Sequence, residues 1–158
     1  MNRGDTLVRV TQENLDTEKA TNAKLAVDLQ SRIQDLSLVV LGKNSNLKTP
    51  DIQQEWYSYL SKKSELQSKI TQAKSNFDRN KSLYEKGVIA KAEFERYSFE
   101  YTYAQQALTG LEKNQQSVWQ NKKRDLQVQL QNLNGTLQKI NVEARNYIIT
   151  APLSGTVE

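Results

Sequence analysis

From Ile52 to Tyr84 the chain places its seam residues at alternating steps of four and three. The stripe reads Ile52, Trp56, Tyr59, Lys63, Leu66, Ile70, Ala73, Phe77, Asn80 and Tyr84, and only Lys63 and Asn80 are strongly polar. A repeat of this period keeps one narrow seam in register with a partner helix, which is the signature of a coiled coil. A helix on a globular core would carry a wider apolar face. The rest of the chain has to supply the partner for this stripe.

Composition agrees with a helical rod. The chain has 158 residues, 37% of them apolar, and a mean hydropathy of −0.75. Those values are low for a compact globule and ordinary for long helices, where each residue buries less. Gly numbers 6 and Pro 2, mostly near predicted breaks. The net charge is +4. Its cations and acids are interspersed and form no basic run, so they read as a solvated helix surface and not a nucleic-acid footprint. There is no Cys and no His. This removes thiol and imidazole chemistry and the common zinc sites. No apolar run approaches the ~18 residues that would mark a membrane span. No signal peptide is evident, so any export signal is expected upstream of Met1.

The chain reads as three helices, at about 12–41, 50–86 and 91–145, with a tip at 87–90. In the first, Thr11 suits the N-cap and Gly42 suits the left-handed position after the C-terminus. Its seam runs Leu15, Lys19, Asn22, Ala26, Leu29, Ile33, Leu36 and Val40. GKNSNLKTPD then forms a loop, and Thr49-Pro50-Asp51 opens the second helix with an N-cap oxygen, Pro at the first position and an acid in the first turn. Gly87 ends that helix. The third carries Phe94, Tyr97, Tyr101, Ala104, Leu108, Leu111, Gln115 and Val118, then Leu126, Leu130, Leu133, Leu137, Ile140, Ala144 and Tyr147. Val118, Lys122 and Leu126 step by four and four, a stutter at which coiled coils unwind. Trp119, one residue off this seam, either covers the break or faces a neighbouring subunit.

At ~1.5 Å per residue the helices are roughly 45, 55 and 80 Å long. The fold class is therefore mainly α: a long antiparallel coiled-coil hairpin with two end-to-end helices against one long helix. Folding at Val88-Ile89 puts the Gly42–Thr49 loop opposite roughly Leu126 to Gly135. Gly135 either gives that loop room or is a mild helix weakness. The same folding brings residues 1–10 beside residues 147–158, and each of these segments reads as short β structure too small to stand alone.

These end segments carry a family resemblance. MNRGDTLVRV, with Gly4, Asp5 and Leu7, resembles the first half of a split lipoyl domain, V-x-x-G-D-x-L-x-x-hydrophobic. Ile149 to Val157, with Ala151, Pro152, Gly155 and Val157, resembles the second half, I-x-A-P-x-[DS]-G-x-V. A helical hairpin between the halves is similar to a HlyD-type periplasmic adaptor, or membrane fusion protein. The resemblance divides the chain into a first half-motif at 1–10, a hairpin at 11–146 and a second half-motif at 147–158. It implies a piece of a longer protein, with further β-domains and an inner-membrane anchor outside it and no membrane insertion by this part.

The same resemblance implies partners: a TolC-like outer-membrane channel, an inner-membrane transporter of ABC type, and other copies in a ring, a hexamer. Nucleic acid is not among them. At the tip, Arg79, Leu83 and the Gly87-Val88-Ile89 turn match the family's channel-docking pattern. Ala90 stands where the family has Ser, which removes the basis for a Ser-dependent contact. Ile89-Ala90-Lys91 and the broken first arm resemble the type I secretion branch more than the drug-efflux branch, whose hairpins have unbroken helices.

No lysine sits at a turn of either half-motif, so no lipoate, biotin or other cofactor is expected. No enzymatic activity is expected, since nothing gathers carboxylates such as Asp125 and Glu143 around a pocket. The competing reading is a cytoplasmic coiled-coil scaffold whose terminal phrases are accidental.

Overall fold

The computed structural model describes residues 2, 6–9, 13–43, 46–146 and 148–150. Strand β1 spans Thr6–Arg9, helix α1 Glu13–Val40, helix α2 Pro50–Glu85, helix α3 Lys91–Asn146 and strand β2 Ile148–Thr150. The chain divides into two compact units, Met1–Gln34 with Arg124–Glu158, and Asp35–Lys123. Helices α1 and α3 supply residues to both.

In the first unit β1 and β2 pair antiparallel, with Thr6 opposite Thr150, Val8 opposite Ile149 and Arg9 opposite Ile148. Two steps along β1 meet one step along β2, so Leu7 is the extra residue of an irregular pair. The α1 seam is the predicted one except at Lys19, which is exposed, with Leu29 buried and Leu15, Asn22, Ala26 and Ile33 half-buried. Glutamines line the groove it shares with α3, Gln30 and Gln34 on one side and Gln127, Gln131 and Gln138 on the other. Gly135 also lines this groove, and a Cβ there would meet nothing within 4 Å. Its lack of a side chain accommodates no neighbour, which leaves the helix-weakness reading, at about 1 kcal/mol against Ala.

In the second unit α2 and α3 run antiparallel. Lys63 bridges to Glu112 at 2.8 Å, and the rings of Phe77 and Tyr101 stack at 5.5 Å. The predicted α2 stripe is buried or half-buried from Ile52 through Asn80, with Tyr84 just exposed.

Three expectations need correction here. First, α1 and α2 overlap and do not meet end to end. Asp35 contacts Thr49, while one turn on, Val39 and Val40 line the same cleft as Trp56 and Tyr59. The end of α1 therefore runs alongside the start of α2, in the same direction. The loop begins at Gly42 beside Glu112, Gln116 and Trp119, and not opposite Leu126 to Gly135. The overlap gives the end of α1 two neighbours, so its buried face widens to take in Asp35 and Val39 with Leu36.

Second, the α3 stripe passes through Trp119 and not Val118. Trp119 is 3% exposed and Val118 45%. Trp119 stacks on Trp56 at 5.6 Å and meets Tyr59 edge-on at 5.2 Å. This settles its role as the core of the three-helix overlap. Both indole N–H groups are buried without an acceptor, a cost of about 1–3 kcal/mol each that the packing has to exceed.

Third, Thr49 occupies the N-cap position of α2 with extended backbone, but its side chain makes no capping bond. Its hydroxyl donates to the Asp35 carboxylate instead. The same oxygen accepts the backbone N–H of Lys48 at 2.8 Å and of Thr49 at 2.7 Å. Asp35 is 1% exposed. The predicted Thr11 cap lies outside the described residues.

Two outcomes follow from this core. Asp35→Ala leaves buried donors unpaired and should lower the unfolding free energy by about 2–3 kcal/mol in urea titration. Trp119→Ala should cost about 3–5 kcal/mol, while Val118→Ala should stay within about 0.5 kcal/mol. Equal losses at 118 and 119 would return the seam to Val118.

Candidate functional site: the hairpin tip

The turn between α2 and α3 is built by hydrogen bonds that close the end of α2. The Val88 N–H donates to the Leu83 carbonyl and the Gly87 N–H to that of Tyr84, both at 2.9 Å. Gly87 adopts φ +71°, the left-handed conformation this closure needs and a side chain resists. Helix α1 closes in the same way at Gly42, also at φ +71°. There the Lys43 N–H reaches the Leu38 carbonyl.

The closure presents Val88 to solvent at 65% exposure, keeps Ile89 half-buried and leaves Ala90 exposed. Leu83 is half-buried, and its carbonyl anchors the turn. Arg79 is exposed two turns back, and its guanidinium donates to the Asn76 side-chain oxygen at 2.8 Å. Arg79, Leu83, Gly87, Val88, Ile89 and Ala90 thus share one end of α2 and the turn after it. Helix α3 begins with the Glu93 and Phe94 N–H groups on the Ala90 carbonyl.

Beneath the turn lies an aromatic support outside the tip motif. Tyr84 stacks nearly parallel on Phe94 at 4.9 Å, Phe94 meets Phe77 at 5.6 Å, and Phe77 stacks on Tyr101. Asn80 is buried among these turns and donates its side-chain amide to the Asn76 carbonyl. Aromatic residues at seam positions on both sides of the tip were the sequence signal for this ladder. It holds the turn on a stiff base while leaving its apolar crest outside.

Further down α2, the hydrogen bond to Glu112 holds the Lys63 ammonium above its ordinary pKa, and the bond from Lys69 holds the Glu65 carboxyl below its own. No group of residues that could hold a metal occurs among the described residues. Of the half-motif residues, Leu7 sits on β1 at the irregular step. Gly4, Asp5, Ala151, Pro152, Gly155 and Val157 lie outside the described residues.

No protein-family model and no curated protein matches the chain. Among solved structures the chain is similar to that of the periplasmic adaptor protein EmrA, with TM-score 0.42 and 19% identity. The match covers 99% of this chain and 58% of that one, so the chain spans little more than half the length of this neighbour.

The missing cap gives a direct test of the local geometry. Ala90→Ser supplies an N-cap oxygen with Glu93 three residues on, and should raise stability by about 1 kcal/mol. Thermal unfolding would register this as a higher Tm. An unchanged Tm would mean that the hydroxyl does not reach the first turn of α3.

Proposed function

We propose that this chain is the helical hairpin of a periplasmic adaptor that bridges an inner-membrane transporter and an outer-membrane channel. The observation that carries the reading is the pairing of β1 with β2. The two phrases resembling split lipoyl halves flank the whole helical segment in sequence, and their strands are neighbours in space. That is the arrangement a domain interrupted by a hairpin requires. Among the described residues no helix is long and apolar enough to cross a membrane, which is compatible with a bridging part that is not itself inserted.

In this reading the tip is the docking surface. Val88 and Ile89 offer an apolar crest, and exposed Arg79 offers a cation for the polar rim of a partner. The partner is a TolC-like channel whose periplasmic helices end in matching tips. The transporter is of ABC type, as in type I secretion. The break between Val40 and Pro50 favours that branch over a drug-efflux adaptor with unbroken arms. Copies stand side by side in a ring, and the energy for transport comes from the transporter. No catalytic role belongs to this chain.

A photo-crosslinker replacing Val88 in the full-length protein tests this in intact cell envelopes, with exposed Asn121 as the control position. An adduct between Val88 and an outer-membrane channel subunit, lacking at Asn121, is expected. Adducts at Val88 only to cytoplasmic proteins would overturn the adaptor reading in favour of a scaffold.

A further inference from the structure

The overlap of three helices leaves a cleft of about 270 Å³ beside its core. Every residue that lines it belongs to the second unit. Trp56, Tyr59 and Trp119 form its aromatic walls, and Val39, Val40 and Leu60 add aliphatic surface. A cavity of ~150 Å³ holds benzene, so this space admits a substituted single ring. A largely apolar lining with a few polar groups is the usual make-up of a small-molecule site.

The polar groups of the cleft select the ligand. Trp56 and Trp119 are 6% and 3% exposed, and their indole N–H groups lack acceptors. Among the described residues these are the buried side-chain polar atoms left without a partner, and both are donors. Orphaned donors in the walls of a cleft call for an acceptor that enters it.

The Lys63 ammonium lines the same cleft, with Glu112 2.8 Å away as the only carboxylate of the lining. The Lys63 side chain is 32% exposed, so an entering molecule can reach its N–H groups. Its Nζ stands 5.9 Å from the centre of the Tyr59 ring. A ring laid against Tyr59 therefore brings a substituent on its edge to the ammonium. Glu112 already neutralises Lys63, so a ligand carboxylate would meet repulsion where a neutral oxygen does not.

We propose that this cleft binds a small neutral aromatic molecule with a carbonyl oxygen on its edge, an aryl ketone. The ring lies against Tyr59 and the tryptophans, and the oxygen accepts from the Lys63 ammonium. A molecule seated there touches α1, α2 and α3 together and so favours the state in which they overlap. The cleft is near the start of α2 and the tip follows its end, so the site is independent of channel docking.

Acetophenone and α-methylstyrene have nearly the same shape, and only the first carries an acceptor. Each is titrated into the full-length protein, isotope-labelled at the tryptophan indole nitrogens. Trp56→Phe and Trp119→Phe each delete one resonance and so assign the pair. Acetophenone should shift both assigned resonances saturably and bind about tenfold tighter than α-methylstyrene, the effect of one hydrogen bond from a charged donor. Lys63→Met keeps the aliphatic stem and should abolish that difference. Lys122→Met removes the ammonium paired with Glu55 outside the cleft and should leave the difference unchanged. Circular dichroism checks that both variants fold, and the comparison of the two molecules on the unaltered protein stands without them. Shifts that do not saturate, equal affinity for the two molecules, or a difference that survives Lys63→Met would each overturn the proposal.

Discussion

The arrangement of the second unit depends on one buried carboxylate. Asp35 receives the Lys48 and Thr49 backbone N–H groups and the Thr49 hydroxyl, and it is almost wholly out of water. Charge-assisted bonds of this kind are short and strong, and an unpaired carboxylate at that depth would be costly. The three donors therefore hold the start of α2 at a fixed height along α1. With that height set, α1 and α2 lie side by side for their shared turns and present Val39 and Trp56 to α3 together, with Leu36 and Ile52 also buried.

Trp119 closes this core because two helices face it where a simple hairpin would offer one. A coiled-coil seam takes one narrow stripe from each helix. At the overlap the stripe on α3 has to serve two neighbours, and a large flat ring covers both better than valine. The cost is a pair of indole N–H groups without acceptors. Beyond the overlap α2 and α3 revert to a two-helix seam, carried by aromatic stacks to the turn at Gly87. For the docking role proposed above, stiffness below and an exposed Val88 above would help, because a preorganised crest loses less entropy on binding.

Much of this was legible in the residues. The α2 stripe keeps its period almost without interruption, and Pro50, Gly42 and Gly87 mark the helix ends by backbone chemistry that depends little on context. The turn at Gly87, Val88 and Ile89 was legible in the same way, whereas Arg79 and Leu83 were singled out only by the family resemblance. The aromatic ladder beneath them was visible as seam residues but not as a support, because ring stacking depends on how two helices are paired. Asp35 gave almost no signal. An acid beside Leu36 reads as surface until a second helix is known to cover it. Val118 and Trp119 are adjacent, and periodicity alone favoured the residue that continued the established step.

By itself the sequence determined the helices, their breaks, the narrow seam of α2 and the chemistry of the turn. These are local properties, set by side-chain period and by where a left-handed residue or a proline is tolerated. Tertiary structure decided the overlap of α1 with α2, the burial of Asp35, the passage of the α3 stripe through Trp119 and the register of β1 on β2. Each of these depends on the relative height of segments far apart in the chain. That height is a balance of packing and buried hydrogen bonds, for which no single stretch of residues carries the code.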